Sequence, residues 1–315
     1  MKILVTGAAG FIGSHLVKEL LRLGHNVTGV DKIQYGKNTH LKQLRLSKIS
    51  HKNFCFVDID INNLGQLKGS YDFVINLAAQ TGVRFKSDEI KNYLHSNING
   101  FIAVCDFCIE RNIKNVIYAS SSCVYDDSES KPYRENSTNI LPKSLYGLTK
   151  LFNENYAEKV HEKNKITFIG LRFFTVYGPY GRPDMGYFIF ADSIKNYKTI
   201  KLHNGGEMLR DMTYIDDIVQ GISKAISYAN SKEFPINELF NLGRSEPVLT
   251  KQLLNKISEE LQQEPQIEII NVDNESNFTH ADLSKAKSKL DYSPATSFDD
   301  GIKSFLNWHS KYEQN

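Results

Sequence analysis

Three glycines spaced three residues apart follow the first apolar run of the chain, residues 3–6, and precede a segment with apolar residues at helical spacing. A strand, a glycine loop and a helix in this order allow a tight turn, a close approach to a pyrophosphate and close packing of the helix on the sheet. The helix N-terminus then directs free N–H groups at the phosphates. The pattern predicts a dinucleotide-binding unit made of Gly7, Gly10, Phe11, Ile12 and Gly13.

The first half of the chain alternates short β-branched runs with helix-length segments. The runs cover residues 3–6, 27–30, 54–57, 73–77, 116–119 and 168–173. Because parallel strands require long crossovers, this alternation predicts an α/β fold with a doubly wound parallel sheet of the Rossmann type. Beyond residue 173, Gly-Pro and Arg-Pro pairs mark loops. We therefore expect an NAD-binding domain over 1–173, to which later segments can return, and a smaller C-terminal α/β substrate lobe over 174–315.

The composition disfavours several classes of protein. A net charge of +2, with both signs interspersed, provides no field that would attract nucleic acid, and the apolar stretches are too short for a membrane span. Four unevenly placed cysteines do not form a disulfide framework, and Cys105 and Cys108 lack a second pair for zinc, so they are expected in the core. These features predict a cytoplasmic protein that binds neither membrane, nucleic acid nor metal.

Asp31 ends the second apolar run, 18 residues after Gly13. A carboxylate at this place accepts hydrogen bonds from the adenosine ribose and repels a 2′-phosphate, so it favours NAD over NADP. Lys32 beside it would soften that repulsion. Lys and Asn are frequent from residue 36 to 53, which predicts a solvated surface loop and helix there.

A second constellation combines a serine, a tyrosine and a lysine. Tyr146 and Lys150 are four residues apart, on one face of a predicted helix, and Ser121 follows the strand at 116–119. A tyrosine with a pKa near 10 needs nearby positive charge to act as a base at neutral pH, and Lys150 and an oxidised nicotinamide could supply it. The set predicts Tyr146 as the base that takes a sugar hydroxyl proton, Ser121 as the group that orients the oxygen, and Lys150 as a ligand of the nicotinamide ribose.

These motifs resemble the extended short-chain dehydrogenase/reductase superfamily, within the NAD-dependent epimerase/dehydratase family. The resemblance implies tightly bound NAD and adds six cofactor-binding residues to the glycine loop, Asp31, Tyr146 and Lys150. They are Asp60, Ile61, Leu77, Ala78, Ala79 and Asn97.

A closer resemblance is to the UDP-glucuronate 4-epimerases. It rests on the motifs at 79–84, 171–185 and 210–217. It implies a nucleotide-sugar substrate, with Thr175 and Arg182 near the sugar and its carboxylate and Arg210 on the diphosphate. The implied substrate-binding residues are Arg84, Ser121, Ser122, Thr175, Arg182 and Arg210. The apolar helices near 94–112 and 146–160 also resemble those that pair family members into homodimers.

Two segments depart from that family. Residues 274–278 replace its usual Gly-Asp-Val-Pro stretch, and residues 35–38 replace a segment that usually has paired tyrosines. Three alternatives are weighed against a glucuronate epimerase: an epimerase of a neutral UDP-hexose, a decarboxylase, dehydratase or reductase of a nucleotide sugar, and a non-catalytic NAD-sensing regulator. Related decarboxylases and dehydratases carry an acidic residue after the catalytic hydroxyl, where this chain has Ser122 and Cys123, so epimerisation is favoured.

Overall fold

The structure is a computed structural model that describes residues 1–34, 38–82, 89–138, 140–272 and 278–312. Its strands are β1 (Lys2–Thr6), β2 (Asn26–Asp31), β3 (Phe54–Asp58), β4 (Phe73–Asn76), β5 (Asn115–Ser121), β6 (Thr167–Phe173), β7 (Thr175–Tyr177), β8 (Ile200–His203), β9 (Leu209–Tyr214), β10 (Asn237–Leu242), β11 (Pro247–Leu249) and β12 (Ile267–Ile270).

The α-helices are α1 (Phe11–Arg22), α2 (Thr39–Ser47), α3 (Ile90–Tyr93), α4 (Gly100–Glu110), α5 (Leu145–Asn164), α6 (Gly186–Lys195), α7 (Ile215–Asn230), α8 (Thr250–Leu261), α9 (Ser284–Leu290) and α10 (Phe298–Tyr312). A π-helical segment, Leu94–Asn99, joins α3 to α4, and short 3₁₀ turns lie at Ile61–Gln66, Ser122–Val124 and Asn204–Gly206.

Seven parallel strands form the main sheet in the order β3, β2, β1, β4, β5, β6, β10. The six apolar runs of the sequence all lie in this sheet, which confirms the predicted doubly wound fold. The strand order reverses between β1 and β4, where Thr6 pairs with Asn76 and its hydroxyl donates to the Asn76 Oδ1 at 2.6 Å. In open α/β sheets such a switch point is where ligands bind, at the carboxyl ends of the strands.

Both faces of the sheet are covered by helices. Side chains alternate along β1, so Ile3 and Val5 belong to one apolar cluster with α1 and α7, while Leu4 belongs to another with α4 and α5. Cys105 and Cys108 are fully buried in the second cluster, which confirms their prediction as core residues. Within the described ranges, no helix has the length and apolar composition that a membrane crossing needs.

Two small sheets follow β6. The strand β9 lies between β7, to which it is parallel, and β11, to which it is antiparallel, and β8 pairs in parallel with β12. Helix α8 packs on α6 and α10 beside these sheets. In contrast, α7 packs on β5 and β6, and β10 extends the main sheet. The division of the chain at residue 173 stays a prediction, and α7 and β10 are the later segments that return to the main sheet.

Candidate active site

A cleft of about 1410 Å³ opens at the carboxyl ends of the parallel strands. Most of the residues predicted as site residues line it, although they are spread over more than 200 positions of the chain. They are Gly7, Gly10, Phe11, Ile12, Gly13, Asp31, Asp60, Ile61, Leu77, Ala78, Ala79, Ser121, Ser122, Tyr146, Lys150, Thr175, Arg182 and Arg210.

The glycine loop fits a dinucleotide. Gly7 has a positive φ of 70°, and its carbonyl accepts the Gly10 N–H at 2.9 Å. A Cβ on Gly13 would lie 2.1 Å from the Gly7 carbonyl oxygen, so only glycine lets α1 begin this close to β1. The N-cap of α1 is Gly10, which has no side chain that could cover the first-turn N–H groups. The loop therefore presents bare backbone donors to a pyrophosphate, as NAD requires.

Asp31 lies at the end of β2 and lines the cleft beside this loop. Its Oδ2 accepts the Ala9 N–H at 3.1 Å, and its Oδ1 pairs with the Lys42 Nζ at 2.8 Å. The same Nζ donates to the Lys32 carbonyl at 2.8 Å. Lys42 thus moderates the negative charge of Asp31, a role that the sequence analysis gave to Lys32.

Asp60 and Ile61 also line the cleft. The Asp60 carboxylate accepts hydrogen bonds from the Asn62 backbone N–H and from the His95 ring, both at 2.9 Å. Burial alone would raise the pKa of Asp60, but these hydrogen bonds hold it below its ordinary value. Ile61 packs on Gly100, where a Cβ would lie 2.7 Å from the isoleucine Cγ2. The pair forms a fixed wall, suited to an adenine ring.

Asn97, which the resemblance implied as a cofactor-binding residue, is not among the residues that line the cleft. Its side chain is buried behind the cleft, where Oδ1 accepts the Gln80 N–H at 2.8 Å and Nδ2 donates to the Gln80 carbonyl and the Thr149 Oγ1, both at 3.0 Å. Asn97 therefore ties the segment after β4 to α5, and its geometry supports the cleft wall rather than a direct cofactor contact.

Ser121, Tyr146 and Lys150 converge in the centre of the cleft. Ser144 caps α5 by accepting the Gly147 N–H at 3.0 Å, which sets the helix to begin at Leu145. Gly147 brings this first turn against the Ser122–Val124 turn, because a Cβ there would lie 2.3 Å from the Cys123 carbonyl oxygen. Lys150 lies one turn later, with its Nζ 5.7 Å from the centre of the Tyr146 ring and bonded to the Ala119 carbonyl at 2.9 Å.

The two titratable groups of this set are shifted in opposite directions. Burial lowers the pKa of Lys150 from 10.5 to about 8, against the attraction of Glu154. Burial raises the pKa of the Tyr146 phenol, while the positive charge of Arg182 and a hydrogen bond with Ser121 oppose that rise. From the sequence, the charge that favours the phenolate was expected from Lys150 and nicotinamide. In the structure, Arg182 is a further cation that acts on Tyr146.

A buried ion pair supports the strand that carries Ser121. Glu154 accepts the Ser120 hydroxyl at 2.5 Å and two N–H groups of Arg172, at 2.8 and 2.7 Å. Since Glu154 is one helical turn beyond Lys150, this pair fixes α5 against β5 and β6. The spacing between Ser121 and Tyr146 is therefore held by buried charge-assisted hydrogen bonds.

The substrate side of the cleft comes from the second half of the chain. Thr175 begins β7, and Arg182 lies in the loop that follows. The Arg182 guanidinium forms a fork with Asp184, through Nε at 3.1 Å and Nη2 at 2.5 Å. Burial would lower the pKa of Arg182, but the pair with Asp184 raises it above its ordinary value. Nη1 takes no part in this fork and is the group available to a second anion.

Arg210 lies in β9 at the other end of this wall. Its Nη1 donates to the Leu209 carbonyl at 3.1 Å. The strand is anchored by the next residue, Asp211, whose buried carboxylate accepts the N–H groups of Arg244 at 2.7 Å and Ala281 at 2.9 Å. Arg210 therefore projects from a fixed backbone, as a phosphate ligand needs.

Arg84, Tyr35-Gly36-Lys37 and residues 274–277 lie outside the described residues. The predictions that fall on them, including substrate binding by Arg84, stay predictions. Over the described part of the chain, His, Cys, Asp and Glu side chains do not gather in any group of three or more that could hold a metal ion.

Two basic residues of α2, Lys42 and Arg45, line the cleft and were not predicted from the sequence as site residues. Residues 36–53 were predicted to form a solvated loop and helix. The helix is present, but Leu41 and Arg45 lie buried on one of its stripes. The sequence signal for this burial is that the arginine follows the leucine by four residues, so both lie on the same apolar face of the helix. A buried guanidinium requires nearby hydrogen-bond acceptors, which indicates a structural role.

Comparison with known proteins gives consistent results. A model of the NAD dependent epimerase/dehydratase family matches residues 3–243. Protein CapI of Staphylococcus aureus is 37% identical, with 99% of each chain covered. UDP-glucuronate 4-epimerase 4 of Arabidopsis thaliana is 36% identical over 98% of this chain and 75% of its own. The crystal structure of UDP-glucuronic acid 4-epimerase from Bacillus cereus, in complex with UDP-glucuronic acid and NAD, superposes with a TM-score of 0.91 at 32% identity, covering 99% of this chain and 100% of that one.

Proposed function

The chain belongs to the NAD dependent epimerase/dehydratase family, and we propose that it is a UDP-glucuronate 4-epimerase, which interconverts UDP-glucuronate and UDP-galacturonate. It is an epimerase, and its cofactor is NAD. The observation that carries the choice of sugar is the placement of Arg182, a guanidinium close enough to Tyr146 to act on the pKa of its phenol. A cation beside the catalytic group suits a sugar with a carboxylate next to the reacting carbon.

The proposed chemistry begins at the C4 hydroxyl. Tyr146 takes its proton, while Ser121 donates a hydrogen bond that orients the oxygen. Bound NAD supplies the hydride acceptor and later returns the same hydride. Lys150, held by the Ala119 carbonyl with its Nζ 5.7 Å from the centre of the Tyr146 ring, would contribute positive charge beside the phenol and bind the nicotinamide ribose. Rotation of the 4-keto sugar before the hydride returns gives the opposite configuration with no net redox change.

Arg182 has a second task in this proposal. The 4-keto form of a glucuronate is a β-keto acid, which loses carbon dioxide when its carboxylate bond aligns with the ketone π system. An Arg182 Nη1 that binds the carboxylate, with Thr175 beside the sugar, would hold that bond out of alignment. Because Asp184 fixes the other side of the guanidinium, the fork is already oriented before sugar binds.

Arg210 is proposed to bind the nucleotide diphosphate, with Arg84 and Ser122 as further substrate ligands. Cys123, in place of the acidic residue of related decarboxylases and dehydratases, lies in the cleft wall, so the wall offers no extra general acid at that position. A neutral UDP-hexose would give the Arg182 Nη1 no anion to bind beyond the existing pair with Asp184. A non-catalytic regulator would have no use for the convergence of Ser121, Tyr146 and Lys150.

We further propose a homodimer in the cytoplasm, where the product serves as a uronic acid donor for polysaccharide biosynthesis. Two apolar side chains near the proposed dimer helices support pairing, since Leu94 is 46% and Leu148 is 51% exposed. Large apolar residues on adjacent helices are commonly covered by a partner subunit.

The test is incubation of the purified enzyme with UDP-glucuronate and no added NAD, followed by product identification by anion-exchange chromatography and NMR. We expect UDP-galacturonate without accumulation of NADH, and its formation about 100-fold or more slower by the Tyr146→Phe variant. A UDP-pentose with carbon dioxide would show a decarboxylase instead. Turnover of UDP-glucose but not of UDP-glucuronate would show an epimerase of neutral sugars, and absence of turnover of both sugars would refute the proposed substrate.

A further inference from the structure

Arg45 is a basic residue of α2 that is almost entirely buried, with 5% of its surface exposed. Burying a guanidinium is unfavourable unless its N–H groups find acceptors. Here the acceptors are all backbone carbonyls, and they belong to two segments that are distant in sequence. Burial lowers the pKa of Arg45 to about 10, while the negative charge of Asp31 opposes that shift and the positive charge of Arg182 adds to it. The hydrogen bonds therefore compensate for the unfavourable burial of the guanidinium.

The first segment is the loop that carries Arg182. Arg45 donates to the Tyr180 carbonyl twice, through Nε at 3.0 Å and Nη2 at 2.8 Å, and to the Gly181 carbonyl through Nη2 at 3.0 Å. Tyr180 has a φ of 59°, in the left-handed region, so the backbone turns sharply at this point. The turn is immediately followed by Arg182, whose own N–H is bonded to the Tyr187 hydroxyl at 3.3 Å.

The second segment is the glycine loop. Arg45 Nη1 donates to the Ala9 carbonyl at 3.3 Å, between Gly7 and Gly10. One guanidinium therefore joins the loop that is built for a dinucleotide to the loop that presents the carboxylate-binding arginine. A planar fork is suited to this task because it holds several acceptors at fixed angles, which a lysine ammonium does not.

We propose that Arg45 is a positioning residue for Arg182: it fixes the loop at Tyr180 and Gly181 onto the glycine loop and thereby sets how far Arg182 reaches toward the sugar carboxylate. The proposal deepens the UDP-glucuronate 4-epimerase function and rests on it. Arg45 acts through the backbone of residues 180–182, with no contact to the sugar required.

The first experiment measures the loop itself and needs no substrate. Amide hydrogen exchange of the NAD-loaded enzyme is compared between wild type, Arg45→Lys and Arg45→Gln, with Arg22→Lys, at an exposed position of α1, as the matched control. We expect faster exchange at residues 180–187 in both Arg45 variants and no change in the control. Unchanged exchange at 180–187 in a folded variant would overturn the proposal, whatever the substrate of the enzyme is.

The second experiment is a double-mutant cycle on the kinetics. Arg45→Lys should raise the KM for UDP-glucuronate roughly tenfold or more, because a misplaced binding group loses its geometry, and it should change turnover of a neutral UDP-hexose far less. In an Arg182→Leu background the same change should alter kcat/KM by less than about twofold, since the two residues act as a unit. If Arg45→Lys lowers kcat/KM equally in both backgrounds, or equally for both sugars, the proposal that Arg45 positions Arg182 is overturned. A wild-type enzyme that does not convert UDP-glucuronate would instead refute the proposed function, and the exchange measurement would still decide the role of Arg45.

Discussion

Replacing Lys150 by Met should change how the stability of the protein depends on pH. Burial lowers the pKa of Lys150 from 10.5 in the unfolded chain to about 8 in the folded one. Between these values the unfolded state binds more protons, so the folded state gains stability as pH rises, and at low pH the buried ammonium costs about 3 kcal/mol. From pH 7 to pH 9 the gain assigned to Lys150 is about 1 kcal/mol. Methionine fills similar space without a titrating group, so the gain should vanish in the variant.

The measurement is urea unfolding at pH 7, 8 and 9, on protein freed of NAD because a bound cofactor adds its own pH dependence. The quantity to follow is the difference in unfolding free energy between wild type and Lys150→Met, which cancels the titration of cysteines and tyrosines common to both. It should increase by about 1 kcal/mol in favour of wild type over this range. Lys159→Met, at an exposed position of the same helix, should show no such trend. A difference that is constant with pH would show that Lys150 is not held with a lowered pKa.

Three further predictions concern turnover and cofactor choice. Tyr146→Phe should keep the fold and the bound NAD but lower kcat by about 100-fold or more, because only the titrating oxygen is lost; near-normal activity would refute the assigned base. Asp31→Ala should weaken NAD binding and narrow the preference for NAD over NADP, since Lys42, freed from its pair with Asp31, could then meet a 2′-phosphate. Fluorescence titration would measure both affinities. Equal losses of affinity for NAD and NADP would mean that Asp31 only supports the loop. Arg182→Leu should reduce turnover of UDP-glucuronate by the equivalent of about 2–5 kcal/mol, with much less effect on turnover of a neutral UDP-hexose. It should also release some UDP-pentose. Equal losses of turnover on both sugars would exclude binding of the carboxylate by Arg182.

The fold was predictable because its signals are local. Each strand of the first six is a short apolar run, and the glycine loop, the end of β2 and the Tyr146–Lys150 spacing are all set within a few residues of the chain. Helical spacing placed Tyr146 and Lys150 on one face of α5, and strand position placed Ser121 at the carboxyl end of β5. These local motifs, together with the rule that open α/β sheets bind ligands at the carboxyl ends of their strands, indicate where the cleft lies.

The contacts that sequence reasoning missed join distant segments. Arg45 meets the carbonyl of Tyr180, 135 residues away, and no periodicity predicts such a partner. Asn97 is another case, because an amide near a cofactor motif is as well suited to bridging backbone groups as to binding a ligand, and its contacts with Gln80 and Thr149 cannot be predicted from the sequence. Arg182 and Asp184 are close in sequence, but two side chains in a loop face each other only if the backbone turns suitably between them. The sequence pattern does not predict that turn.

The charges around Tyr146 connect these observations to the choice of sugar. Arg182 acts on the phenol from the substrate side and is already partly neutralised by Asp184. A sugar carboxylate on its remaining N–H groups would neutralise it further, so Arg182 cannot lower the pKa of Tyr146 fully and hold the carboxylate at the same time. For an acidic sugar, the charge that favours the phenolate must then come mainly from Lys150 and the oxidised nicotinamide. Since the pKa of Lys150 is about 8, its ammonium is present at neutral pH and is lost as the pH rises above that value. Turnover of a carboxylate-bearing sugar should therefore fall more steeply than turnover of a neutral sugar as Lys150 loses its proton. The preference for the sugar would then depend on the same lysine that is proposed to bind the cofactor.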